Sequence, residues 1–185
     1  MPLEYIRDEI VFDGKYIQAI RRHYLTRSGK AGVWEMVQRK GPGRIVAVLA
    51  VTPRHEAILL KTYRVPLRSY MIETCVGLME AADESEEAAA RRELLEETGY
   101  TVTALQRLFA GPFNPGMHAG EMVFFLGLNA VKAQEPQLED SEDIEVLRVP
   151  LRQVPEFLAV PPAGCAVDPK LYGVFYFLHR LQSEL

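Results

Sequence analysis

The chain reads as an α+β fold, a mixed sheet carrying a few helices, on three observations. Two strongly apolar runs, residues 45–51 and 57–63, flank the turn Thr52-Pro53-Arg54-His55. Residues 85–98 are rich in Ala, Glu, Leu and Arg, the composition of a strong helix former. The first forty residues are β-prone runs separated by turn signals. With 185 residues, 48% of them hydrophobic and 25% charged, the chain can bury a substantial core in a single main domain.

In chain order, Ile10-Val11-Phe12 and Tyr16-Ile17 flank Asp13-Gly14, the signal of a two-residue hairpin. Ser28-Gly29-Lys30 makes a second turn. Residues 33–39 then alternate Trp34, Met36 and Gln38 with Val33, Glu35 and Val37, as a strand does. Gly41-Pro42-Gly43 closes this part, so residues 1–43 are expected to form a β arm and residues 44–185 the catalytic domain. After the two apolar strands comes a short strand over 71–76, then Gly77. Asp83 or Ser85 can cap the following helix, and Gly99 stands where its end needs positive φ. Strands are expected over 101–109, 122–128 and 144–149, and helices over 151–159 and 169–185.

Net charge is −4 and the pI about 5.6, which argues against a nucleic-acid partner held on a broad basic surface. No apolar run is long enough to cross a bilayer, and the first residues are too acidic for a signal peptide. Cys75 and Cys165 lie outside any nucleophile motif and read as packed, reduced thiols. A cytoplasmic protein with no membrane partner is expected. His23, His55, His118 and His179 show no metal-ligand spacing and read as surface or packing residues.

Glu93, Glu96 and Glu97 fall at i, i+3 and i+4, on one helix face. Like charges at that spacing repel, and in the last two turns the helix dipole opposes them by about 0.3–1 kcal/mol each. A helix shaped for stability alone would carry lysine there. Grouped hard oxygen donors suit Mg²⁺, which takes few carboxylates and keeps waters for a phosphate substrate. A solvated charged face is the plain alternative for any Glu-rich helix.

The segment Gly77-x6-Glu84-x7-Arg92-Glu93-Leu94-x-Glu96-Glu97-x-Gly99-Tyr100 resembles the Nudix box. One extra residue separates Gly77 from Glu84; with a loop of regular length Asp83 would take that place. The resemblance implies a Nudix-type α/β/α sandwich of mixed sheet with an N-terminal β-hairpin arm. It implies Glu93 and Glu97 as metal ligands, with Glu96 assisting and the Val76 carbonyl joining the shell. Arg92 would orient the box by pairing with Glu84, and Gly77, Glu84 and Gly99 would shape it. The metal implied is Mg²⁺, with Mn²⁺ a possible substitute.

Outside the box the chain is similar to the ADP-ribose pyrophosphatase and nucleoside diphosphate sugar hydrolase branch of that superfamily. Trp34-Glu35-x-Val37-x-Arg39 resembles a strand whose tryptophan stacks on adenine. Thr62-Tyr63-Arg64-Val65-Pro66 resembles a segment whose arginine reaches phosphates. Glu73 stands in the counterpart of a Glu-x-Pro-Ala-Gly segment, with Cys75-Val76 in place of Pro-Ala. Pro115 and Gly116 resemble a loop that approaches the distal sugar. Trp34, Arg39, Arg64, Glu73, Pro115 and Gly116 are therefore the expected substrate contacts. In the acidic loop 139–143, Glu142 is the candidate water-activating base, with Glu96 its rival; both join Arg92 as expected catalytic groups.

The implied activity is Mg²⁺-dependent hydrolysis of ADP-ribose or a related nucleoside diphosphate sugar by a homodimer paired through the arm. The alternatives are a hydrolase of dinucleoside polyphosphates or modified nucleoside triphosphates, and a non-catalytic nucleotide-binding module.

Overall fold

In the computed structural model, which describes residues 2–41, 44–81 and 83–182, strand β4 (Ile45–Val51) is buried along its whole length. Its alternate side chains enter two different cores, as the period of a strand requires. Val46, Val48 and Ala50 pack with Ala89, Ala90 and Leu94 of helix α1 (Glu86–Thr98). Ile45, Ala47, Leu49 and Val51 pack on the other face with Val154 and Leu158 of α2 (Val154–Ala159) and Leu171, Val174 and Leu178 of α3 (Lys170–Gln182). A sheet covered by helices on both faces is the expected sandwich.

The main sheet runs β13 (Cys165–Val167), β6 (Ser69–Glu73), β5 (Glu56–Arg64), β4, β10 (Glu121–Leu128), β9 (Ala104–Pro112). β12 (Ile144–Pro150) also pairs with β5, and β7 (Cys75–Leu78) with β4. β4–β10 and β6–β13 are parallel and the other pairs antiparallel, so the sheet is mixed. β4 and β5 pair only at Ala50–Ile58 and Val51–Ala57 before diverging. β7 fills the gap beside β4, pairing Val76 with Ala47 and Gly77 with Val46. The single strand expected over 71–76 is therefore two strands, with a change of partner at Thr74. That switch carries Val76 and Gly77 to the underside of α1.

Ser85 caps α1 by accepting a hydrogen bond from the Ala88 amide at 3.1 Å. Gly99 ends it at φ 73°, and a Cβ there would fall on the Gln134 carbonyl oxygen, so only glycine fits. No basic residue occupies the last turn, leaving the acidic face without its usual dipole partners.

The arm is a separate antiparallel sheet, β1 (Glu4–Asp13), β2 (Ile17–Leu25) and β3 (Ala31–Arg39). Its first turn spans residues 14–16 rather than two residues, because the Gly14 amide donates to the Ile17 carbonyl. Further along, the strand expected over 101–109 begins later, as β9, after the short β8 (Tyr100–Thr101) that pairs with β11 (Val131–Lys132). The helix expected over 151–159 opens with a 3-10 turn, Leu151–Gln153. The helix expected over 169–185 spans Lys170–Gln182, with residues 183–185 outside the described part, as are Pro42 and Gly43 of the expected join. Among the described residues no helix is long and apolar enough to cross a membrane.

Leu94 is 1% exposed and joins α1 to the sheet. Leu94→Ala is expected to cost about 2–5 kcal/mol in denaturant unfolding, from lost contacts and the cavity left behind. A loss below about 1 kcal/mol would show that α1 is not held through this side chain.

Candidate active site

The acidic face of α1 lies against β7. A Cβ on Gly77 would fall on the Glu93 carboxylate, so the glycine is what lets that group lie flat against the strand. Glu93 accepts from the Leu78 amide at 3.1 Å, and Glu97 from the Val76 amide at 3.2 Å. Sequence places these two glutamates one helical turn apart; the β7 backbone brings both to the same short strand.

Arg92 is the one cation within the cluster among the described residues. Its guanidinium donates to Glu84 at 3.0 Å, to Glu93 at 2.9 Å and to Glu96 at 3.1 Å, and lies 3.5 Å from Glu80. It also donates to the Leu78 carbonyl at 2.9 Å. Although burial opposes the Arg92 charge, the Glu84 and Glu93 carboxylates hold its pKa well above the ordinary value. Glu84 is correspondingly lowered, first by Arg92 and then by the Glu80 amide. The pairing of Arg92 with Glu84 thus survives the extra residue in the loop; Asp83 makes no such contact.

One guanidinium cannot neutralise this set. Burial pushes Glu93 above the ordinary carboxylate range despite Arg92. Glu97, 8% exposed and without a cationic partner, is pushed up to about 8, chiefly by burial, with the charges of Glu93 and Glu142 adding to the shift. Burying carboxylates with so little compensation is costly unless a cation shares them. Among the described residues no three His, Cys, Asp or Glu side chains converge into a closed cage. Two carboxylates side by side, completed by carbonyl and water oxygens, match the habit of Mg²⁺.

Two of the other expected residues, Arg64 and Glu73, lie in the surroundings of Glu97, while Trp34, Arg39 and the Pro115–Gly116 turn form a separate contact between the arm and its own chain. Arg64, at the end of β5, lies at ion-pair distance from buried Glu73, Nε to Oε1 2.8 Å, although Oε1 has no well-aimed hydrogen-bond donor. Burial works against the Arg64 charge, yet Glu73, with Glu97 and Asp168 adding, keeps its pKa raised. Arg64 therefore belongs to the same electrostatic neighbourhood as Glu97.

Trp34 of β3 donates its indole N–H to the Gly116 carbonyl at 2.9 Å. The Val37 amide donates to Met117 O at 2.8 Å, and the Arg39 amide to His118 Nε2 at 3.3 Å. The arm is thereby docked on the Pro115–Gly116 turn of its own chain. Arg39, Arg44 and His118 help line a cavity of about 280 Å³ at this junction. Glu142 stands in the loop before β12, its charge felt at Glu97.

Comparison with known proteins closes the argument from geometry. Residues 41–168 match the NUDIX domain model. The chain belongs to the Nudix family. It is 36% identical to the ADP-ribose pyrophosphatase of Bacillus subtilis (strain 168) over 79% of this chain and 77% of that protein. It is 33% identical to the ADP-sugar pyrophosphatase of Mus musculus, covering 96% and 88% respectively. A crystal structure of an ADP compounds hydrolase superposes with a TM-score of 0.83 at 18% identity, over 100% of this chain and 96% of the other, and shows the same fold.

Glu80, beside Arg92, and Asp168, in the surroundings of Arg64, carry no signal in the sequence. His118, expected as a surface or packing residue in the substrate-side loop, packs against Phe113 and accepts from the Arg39 amide, which ties the arm to that loop. Only the long-range pairing of β3 with residues 116–118 reveals this.

A raised carboxyl sets a sign for pH dependence. Glu97 binds its proton more tightly folded, near pH 8, than unfolded, near 4.5. Stability of the metal-free protein should therefore fall as pH rises through that window. Relative to Glu97→Gln, whose amide does not titrate, its Tm should drop by at least about 3 °C from pH 5 to pH 8, a domain of this size moving roughly 2–4 °C per kcal/mol. Parallel curves for the two proteins would remove the buried-charge account.

Proposed function

We propose that this chain hydrolyses the diphosphate bond of ADP-ribose, or of a closely related nucleoside diphosphate sugar, with Mg²⁺, giving a nucleoside monophosphate and a sugar phosphate. The observation that carries the reading is the buried Glu93–Glu97 pair against β7, short of positive charge. Its two named relatives support the substrate class.

Glu93 and Glu97 would hold the metal, with the Val76 carbonyl and Glu96 completing or assisting the set, and Mn²⁺ could substitute. Bound there, the ion would neutralise the diphosphate and lower the pKa of an attacking water. Arg92, paired with Glu84, offsets the mutual repulsion of the box carboxylates. Glu142 takes the proton as the water oxygen bonds to phosphorus and the bridging P–O bond breaks.

Substrate is held from the arm and the β5–β6 region. Trp34 is 51% exposed, with its indole N–H bonded to the Gly116 carbonyl. Stacking adenine there is worth about 1–3 kcal/mol. Arg64, steadied by Glu73, and Arg39 meet phosphate oxygens, a role that suits the guanidinium fork. The Pro115–Gly116 turn, next to Trp34, approaches the distal sugar.

The arm also supports a homodimer. β1 is an edge strand of the arm sheet and exposes Tyr5, Ile6, Ile10, Val11 and Phe12. An apolar edge strand of that length needs a cover, which a second arm supplies. Residues 1–43 then act as the dimerisation and substrate arm, and residues 44–185 as the catalytic domain. Free Cys75 and Cys165 fit a cytoplasmic setting.

Assay with Mg²⁺ of ADP-ribose, ADP-glucose, UDP-glucose, GDP-mannose and diadenosine polyphosphates should give phosphomonoester from the sugar diphosphates, fastest from ADP-ribose. Glu93→Gln with Glu97→Gln should lower kcat by about 10²–10⁴ while the protein stays folded by circular dichroism. Unchanged turnover would sink the metal-site assignment, and inactivity on every sugar diphosphate the substrate reading. Gel filtration at micromolar concentration should give a dimer; a strict monomer would remove the arm's pairing role.

A further inference from the structure

The loop between β11 and β12 is tied down at both ends, by different elements. At its start, the Ala133 amide donates to the Gly99 carbonyl at 2.8 Å and the Gln137 amide to Glu96 O at 2.8 Å. The start of the loop thus hangs from the C-terminal turn of α1. At its end, Asp143 is held twice: its carbonyl accepts from the Tyr63 amide at 2.9 Å, and its carboxylate from the Tyr70 hydroxyl at 2.6 Å.

Between these ties the loop closes on itself. The Glu142 amide donates to Glu139 O at 2.9 Å, and the Glu142 carboxylate accepts from the Glu139 amide at 2.9 Å. Glu142 has no bond to the rest of the protein among the described residues. Its position is therefore inherited from its neighbour Asp143.

Tyr70 is itself braced. Its ring meets Tyr63 edge-on at 5.3 Å between centroids and 71° between planes, and Lys61 Nζ sits 4.8 Å from its centroid. Lys61 in turn pairs with Glu145 of β12 at 2.9 Å. The hydroxyl–carboxylate bond also holds the phenol above its ordinary pKa, with partial burial and the Asp143 charge adding, so Tyr70 remains a donor through neutral pH. A short bond from a braced ring to the residue beside a glutamate whose other bonds stay within its own loop is a positioning arrangement.

We propose that Tyr70 is a positioning residue for the hydrolysis: its hydroxyl, by fixing Asp143, sets where the loop holds Glu142. This rests on the reading of Glu142 as the water-activating base. The bond fixes a backbone that carries a carboxylate; it neither donates to substrate nor accepts the proton.

The test uses the full-length protein with Mg²⁺ and ADP-ribose, or whichever sugar diphosphate of the panel turns over fastest. Tyr70→Phe should lower kcat about 5–50-fold, a fraction of the 10²–10⁴ that a general base supplies, with KM within about threefold. Asp143→Ala should match it, and Asp143→Asn, whose amide oxygen still accepts the hydroxyl, should recover most of the loss. Hydrogen exchange of amides 139–144 should quicken in Tyr70→Phe, with that of α1 unchanged. In a Glu142→Gln background the Tyr70→Phe penalty should vanish, since the two changes act through one group.

A kcat within twofold of the parent for Tyr70→Phe overturns the proposal. So does unaltered exchange over 139–144, or a penalty that persists in full on Glu142→Gln. Full turnover by Glu142→Gln alone defeats the base assignment first and this proposal with it, and is told apart because it needs no change at Tyr70.

Discussion

Burial of Glu97 beside Glu93 is the constraint to which the rest of the structure answers. A carboxylate with little access to water and no cationic partner would unfold most helices or stay protonated. Here both glutamates are kept at the end of a helix whose dipole opposes them, with no lysine or arginine in the last turn. What stability alone disfavours, the surrounding fold maintains. Ser85 and Gly99 fix the two ends of α1, and its apolar face packs on β4.

That arrangement depends on a change of partner in the sheet. Because β4 and β5 part after two paired residues, β7 runs alongside β4 and offers the Val76 and Leu78 amides to the two carboxylates. Gly77 between them has no side chain to keep Glu93 away. Arg92 then binds four of the surrounding carboxylates and the Leu78 carbonyl, joining helix, loop and strand through one guanidinium. The carboxylates left short of positive charge are Glu93, which shares Arg92 with three others, and Glu97, which has no cationic partner among the described residues.

Two further groups of expected residues are placed by backbone contacts of long sequence separation. The arm docks by β3 on residues 116–118, so Trp34 and the Pro115 turn form one wall although 82 residues separate Trp34 from Gly116. The Glu142 loop is slung between the end of α1 and the tyrosines of β5 and β6. Both walls can move without disturbing the two cores, because neither contributes a fully buried side chain to them.

Composition and period alone disclosed the buried strands, the capped helix with its glycine end, and a run of carboxylates at a spacing that stability alone disfavours. These are local properties, written in residues three or four apart. The pairing of Arg92 with Glu84 was legible through the resemblance to the Nudix box, which holds both within one loop and helix. The break at Thr74 was not, since one continuous β-prone stretch cannot state which neighbour each half will choose. Nor was the part played by His118, Tyr70 or Asp143, whose partners stand far away in sequence and carry no pattern of their own. Sequence by itself determined the acidic helix, through helical geometry and like-charge spacing, and its resemblance to the Nudix box implied the chemistry. Tertiary structure decided which backbone the carboxylates face and which elements wall the site, because those follow from strand order, and strand order is fixed by packing across the whole sheet.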